Sequence, residues 1–152
     1  MSTILILIGC PGSGKSTYYA NSKDKFPPHV YINMDSLRKQ LTGNEADQSK
    51  NAEVATLAQS TLKAALAHGW ELIVWDNTSA RPKYRKEVIQ EAKKYNYKVE
   101  GIYFKVPVQV AKDRNSKRKI VVPEEVIDNM FKNLEQNPPK LEEGFDSLWI
   151  PE

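Results

Sequence analysis

Apolar residues in this chain fall into short blocks, separated by longer stretches in which they recur every three or four positions. The blocks predict strands at residues 4–8, 30–33, 71–75, 99–104 and 148–150. Between them, Val54, Leu57, Ala58, Thr61, Leu62, Ala65 and Leu66 step at helical spacing, which predicts an amphipathic helix over 52–67 that ends at His68-Gly69. Pro82 suits the first turn of another helix, with Tyr84, Val88, Ile89 and Ala92 as its inward stripe and Asn96 as its stop. Pro123 opens a further one with Val126, Ile127, Met130, Phe131 and Leu134 inward, and Pro138-Pro139 ends the approach to the last strand. Strands that alternate with helices in this way predict an α/β fold, a five-stranded parallel sheet flanked by helices. No repeat, low-complexity tract or linker interrupts it, so residues 1–152 are read as one domain.

Composition adds limits more than identity. A chain of 152 residues buries enough surface for a core without staples. No apolar run approaches the ~20 residues that span a bilayer, and Met1-Ser2-Thr3 leads straight into a strand rather than a charged leader. The expectation is a soluble cytoplasmic protein with no membrane partner. Net charge is only +3, which does not mark a nucleic-acid binder. Its distribution is uneven: Lys112, Arg114, Lys117, Arg118 and Lys119 crowd one segment, Arg81, Lys83, Arg85 and Lys86 another, and the tail is acidic. The second cluster reads as a solvated helix face. Cys10, the only cysteine, reads as a small packing residue rather than a reactive thiol. His29 and His68 join no constellation, and Trp70, Trp75 and Trp149 read as core or strand-end packing.

The chemistry is concentrated just after the first strand, where Gly9-Cys10-Pro11-Gly12-Ser13-Gly14-Lys15-Ser16 is a complete phosphate-binding loop. Its glycines let backbone N–H groups turn inward around phosphate oxygens, and a helix starting near Lys15 adds its positive end. Lys15 is placed to reach the β- and γ-phosphates of ATP, Ser16 to offer a hydroxyl to Mg²⁺, and Thr17 to bond the α-phosphate. In a parallel sheet ligands sit beyond the carboxyl ends of the strands, so the next candidates are Asp35 and Asp76, after the second and third strands. Asp35 and Arg38, three apart, share a helix face and suit an acceptor hydroxyl beside a phosphate. The plainer use of the pair is a helix cap and an ion pair. Asp76 ends a buried-looking strand and is a candidate for metal-bound water, or for bonding Arg38, Ser16, Asn77 or Thr78 and ordering the site. Arg114 and Arg118, four apart on one predicted helical face, sit in a lid segment over 108–122 where one would serve as an arginine finger in cis; a solvated basic helix is the competing reading. The polar stretch 42–50 is a second element able to close on substrate.

These separated segments resemble the phage-type polynucleotide 5′-hydroxyl kinases. The resemblance rests on Ile8-Gly9-Cys10-Pro11-Gly12-Ser13-Gly14-Lys15-Ser16-Thr17, on Ile32-Asn33-Met34-Asp35-Ser36-Leu37-Arg38, and on Arg114-Asn115-Ser116-Lys117-Arg118 with Val122-Pro123. It implies a P-loop NTPase kinase fold that uses ATP and Mg²⁺ on 5′ ends of DNA or RNA. Asp35 is implied as general base toward the 5′-hydroxyl and Arg38 as the contact for the substrate's 3′-phosphate. Arg118 is implied to meet the donor phosphates and the transition state, Asp76 to support the acceptor pocket and Arg114 to make a secondary lid contact. No Asp-x-Asp-Gly-Thr phosphatase signature follows, so phosphate removal is not expected, and a separate phosphatase or ligase partner and a homo-oligomer both stay open. Two other readings also stay open: a kinase of small-molecule hydroxyls such as nucleosides, sugars or antibiotics, and a nucleotide-binding module without an acceptor.

Overall fold

The computed structural model describes residues 2–151. Its sheet holds β1 (Thr3–Ile8), β2 (His29–Ile32), β3 (Leu72–Asp76), β4 (Lys98–Tyr103) and β5 (Ser147–Trp149) in the order β2-β3-β1-β4-β5. Every pairing is parallel. The expected architecture is therefore present, with strand ends within one or two residues of those read from the apolar blocks.

Side chains on a strand alternate between faces, so β1 supplies two cores. Ile4, Ile6 and Ile8 point into the larger one with Ile73, Trp75, Val99 and Tyr103. That face is covered by α3 (Asn51–His68), α4 (Pro82–Lys94) and α6 (Glu124–Gln136), through residues such as Val54, Leu62, Val88, Ile89, Ile127 and Leu134. Leu5 and Leu7 point the other way with Leu72, Val74 and Ile102, where Tyr18 and Tyr19 of α1 (Lys15–Ser22), Phe26, Tyr31 and Phe104 pack. Chain direction explains the imbalance. The connection after β1 runs outward to β2, whereas the three later crossovers all run the opposite way along the sheet, and right-handed crossovers then put α1 alone on its face. The reversal lies between β1 and β3, which fixes where the sheet opens a crevice at its carboxyl edge.

Two expected inward stripes are shifted. Tyr84 is 51% exposed, and the position that turns fully inward on α4 is Arg85, at 0%. Its guanidinium donates to both carboxylate oxygens of Glu143 at 2.7 and 2.8 Å, to the Ser79 carbonyl at 3.0 Å and to the Asn137 carbonyl at 2.8 Å. Arg85 is thus no part of a solvated face. It ties the β3–α4 loop to the C-terminal segment, because only a paired and fully bonded charge tolerates such burial. Val126 is 37% exposed while Ile127 beside it is buried, and Trp149 is 56% exposed on an edge strand rather than packed. Cys10 packs in the larger core, and burial pushes its thiol pKa up, the behaviour of an inert packing residue.

Candidate active site

The phosphate loop leaves β1 at the reversal point. Gly14 takes a left-handed φ of 108° at the N-cap of α1, where its missing side chain exposes the first amides of the helix. Gly12 is left-handed too, at φ 83°, and a Cβ there would stand 2.4 Å from the Ala111 carbonyl of α5 (Val108–Ser116). The lid helix therefore rests directly on the loop. Pro11, Gly12, Gly14, Lys15, Ser16 and Thr17 line a cavity of about 1840 Å³, while Gly9 and Ser13 lie buried beneath its floor. The loop is anchored below by Gly9 N–H donating to the Thr78 carbonyl at 3.2 Å. Lys15 Nζ donates to the Gly9 and Cys10 carbonyls at 2.7 and 3.2 Å. Burial pushes the pKa of this ammonium down, against the opposing pull of Asp76.

Asp76, at the end of β3, is 1% exposed. Ser16 Oγ donates to its Oδ2 at 3.4 Å, and the Tyr31 hydroxyl donates to the same oxygen. Burial first, and then the Asp76 carboxylate, push the Tyr31 phenol pKa far above its ordinary value, so it remains a donor. Asp76 Oδ1 has no hydrogen-bond partner among the described residues. A buried, unpartnered carboxylate oxygen beside a serine hydroxyl fits a hard divalent cation such as Mg²⁺, which takes one or two protein oxygens and completes its shell from water and phosphate. Among the described residues no group of three or more His, Cys, Asp or Glu side chains is placed to hold a metal ion.

The cavity wall at the start of α2 (Met34–Thr42) is built by asparagines. Asn33 caps α2 by accepting from Ser36 N–H at 3.1 Å, and its Nδ2 donates to the Asp76 carbonyl at 2.9 Å. Asn77 Oδ1 returns the contact by accepting from Met34 N–H at 2.9 Å. This exchange locks the start of α2 to the end of β3 and so fixes the helix turn that carries Asp35, which lines the same cavity as Lys15. Asp35 is not the cap; it lies in the first turn, half-exposed to the cavity. Arg38 is buried and donates to Asp35 Oδ1 at 2.7 Å, to Asn51 Oδ1 at 3.2 Å and to the Glu45 carbonyl at 3.5 Å. The ion pair is real, and through it the 42–50 segment is tied to the site. Asp76 makes no bond to Arg38.

The lid differs from the expected single helical face. α5 stops at Ser116, so Arg114 lies on the helix and Arg118 beyond it, in a loop. Both still converge on the cavity: Arg114 donates to the Gly12 carbonyl at 3.4 Å, and the Arg118 guanidinium stands 3.8 Å from Asp35 Oδ2. What holds Arg118 there is Asn115, buried behind it. Its Nδ2 donates to the Val122 carbonyl at 2.7 Å and its Oδ1 accepts from Val122 N–H at 3.1 Å, closing the loop between them. The charged candidates Lys15, Asp35, Arg38, Asp76, Arg114 and Arg118 all line the cavity, and so do Lys63, Arg81 and Glu87, which were not among them. Tyr31, Asn33 and Asn115 were missed as bonding partners, while Asn77, expected as a partner of Asp76, bonds Met34 N–H instead. Asn33 carried a readable signal, a capping residue ahead of an amphipathic run. Tyr31 and Asn115 carried none, because their partners are fixed only by folding.

A phosphate loop, an acid at the end of the neighbouring strand and two lid arginines line one cavity. The model of an AAA-domain family matches residues 4–137, and the chain belongs to that family. It is 28% identical over 136 residues to the L-seryl-tRNA(Sec) kinase of Methanococcus maripaludis, a match that covers 87% of this chain and 52% of that protein. The chain thus spans about half the length of that curated relative. Among solved structures, the Pnkp1/Rnl/Hen1 complex contains a chain with TM-score 0.64 and 20% identity, covering 80% of this chain and 40% of that one. Deoxyadenosine kinase from M. mycoides with bound dATP matches with TM-score 0.60 and 18% identity over 99% of this chain and 90% of that one. These solved structures share the fold of this chain. Among the described residues no helix is long and apolar enough to cross a membrane.

Proposed function

We propose that this protein transfers the γ-phosphoryl group of ATP to the 5′-hydroxyl end of DNA or RNA. The observation that carries the reading is the juxtaposition of Asp35 with Arg38 and Arg118 in the cavity that the phosphate loop opens into. A carboxylate beyond the second strand, held between two guanidinium groups, is equipped to receive an alcohol proton beside phosphate charge. In the step proposed, the 5′-oxygen attacks the γ-phosphorus, its proton passes to Asp35, and the bond from the γ-phosphorus to the β–γ bridging oxygen breaks to leave ADP. Lys15 and the loop amides hold the triphosphate, and Arg118 neutralises charge on the transferring group. Ser16 and Asp76 are the residues that would hold Mg²⁺, directly or through water, and the cation would supply neutralisation of the triphosphate charge.

The test is direct. Incubation with γ-labelled ATP, magnesium and a 5′-hydroxyl oligonucleotide is expected to label the oligonucleotide, and Asp35→Asn is expected to abolish that label while ATP affinity stays within about twofold. Label on a nucleoside or another small alcohol alone would move the assignment to a small-molecule kinase. Tight ATP binding without transfer to any alcohol would leave a nucleotide-binding module.

A further inference from the structure

Asp76 is the buried acid on which the nucleotide's cation would depend, yet the phosphate loop itself offers it only one weak contact, the Ser16 hydroxyl at 3.4 Å. A carboxylate with two free torsions keeps one orientation only if something else holds it. That group comes from β2. Tyr31 pairs in register with Val74 of β3, and its long side chain reaches along the sheet to donate its hydroxyl to Asp76 Oδ2. The ring is fixed in turn: it stacks on Tyr19 of α1 with centroids 3.8 Å apart and planes 10° from parallel. Tyr19 is held by its hydroxyl against His29 Nε2 at 2.8 Å, and His29 Nδ1 meets the Pro27 carbonyl at 2.9 Å. A chain of aromatic groups on the thinly covered face of the sheet thereby ends on the carboxylate that Ser16 of the phosphate loop contacts.

We infer that Tyr31 is a positioning residue for the metal-bound nucleotide: its hydroxyl occupies Asp76 Oδ2 and so presents Oδ1 to the cation's shell. Oδ1 is the oxygen without a partner among the described residues, and Oδ2 is the one that takes both side-chain donors. When Ser16 turns its hydroxyl to the cation, Tyr31 is the side-chain donor left on Asp76. Outer-shell partners that orient a metal-holding group are worth about 10–100-fold in metal affinity, and Tyr31, acting through Asp76, belongs at the lower end. The inference rests on the nucleotide site alone and needs no particular acceptor.

The experiment titrates magnesium into the full chain with a fluorescent, non-hydrolysable ATP analogue, comparing wild type with Tyr31→Phe. The phenylalanine keeps the ring and its stack on Tyr19 and deletes only the donor. The magnesium concentration at half-maximal analogue binding is expected to rise about tenfold, while affinity for the analogue in excess chelator stays the same. An unchanged magnesium midpoint overturns the inference, as does an equal loss of affinity with and without the metal. Should Tyr31→Phe lower the urea midpoint yet leave the magnesium response untouched, the hydroxyl serves stability alone and the inference is again overturned. Since no acceptor is present, these outcomes are separable from those of the oligonucleotide assay: either reading can fail while the other stands.

Discussion

Arg85→Met removes a guanidinium that makes four hydrogen bonds inside the protein while roughly keeping the volume it fills. Left behind are the Glu143 carboxylate, whose side chain is 11% exposed, and the carbonyls of Ser79 and Asn137. Stranding one partner of a buried pair costs about 3–5 kcal/mol. Methionine recovers part of the packing but none of the bonds, so a loss of about 4 kcal/mol is expected, a large share of the roughly 5–15 kcal/mol that stabilises a domain. For a domain of this size that lowers Tm by about 8–16 °C, at ~2–4 °C per kcal/mol. Adding Glu143→Met removes the stranded charge but leaves both carbonyls unpaired, so the double variant is expected to recover about half the loss, in line with apolar replacement of a whole buried pair. Urea unfolding of both variants, read by circular dichroism with slopes compared, gives the numbers. A single variant that costs under ~1 kcal/mol, or a double variant no more stable than the single, would refute the argument that this charge is held by pairing.

Three other outcomes are expected. Arg118→Ala should lower kcat by about 10³-fold or more, with the KM for ATP changed only a few-fold, because an arginine finger acts on charge that develops during transfer; steady-state kinetics that show equal loss in both would remove that role. Lys15→Met should abolish the thermal stabilisation conferred by magnesium and ATP while leaving the free protein as stable or more so, since burial already disfavours that ammonium; thermal melts with and without nucleotide decide it. Asp146 accepts from Lys93 at 2.8 Å and from Val99 N–H at 2.7 Å, and those bonds, the Lys93 one foremost, hold its pKa below the ordinary carboxylate value. Its contribution is therefore complete above the unfolded-state pKa and is lost as pH falls through the lower folded one, so Asp146→Asn should lower the urea midpoint at neutral pH and flatten its decline in acid. An unchanged acid limb would refute that linkage.

The order of strands and helices, the phosphate loop and the charged residues around it were legible in the sequence because each depends on local pattern. Apolar blocks of four to six residues make strands wherever they are buried, and a glycine-rich turn between a strand and a helix binds phosphate through its own backbone. Asp35 and Asp76 followed from one further rule, that a parallel sheet gathers ligands at its carboxyl edge, and Arg118 from its spacing to Arg114 in a basic lid segment. What folding decided was partnership across long separations. Arg85 looked like one more surface cation until Glu143, 58 residues away, arrived beside it, and Tyr31 looked like an ordinary strand residue until Asp76 took its hydroxyl. Arg118 left the predicted helical face because Asn115 bonds the backbone of Val122 and closes the chain into a loop. Local periodicity reports which side of an element is apolar, whereas the direction of a buried polar group is set by the donor or acceptor that the tertiary fold brings within about 3 Å of it.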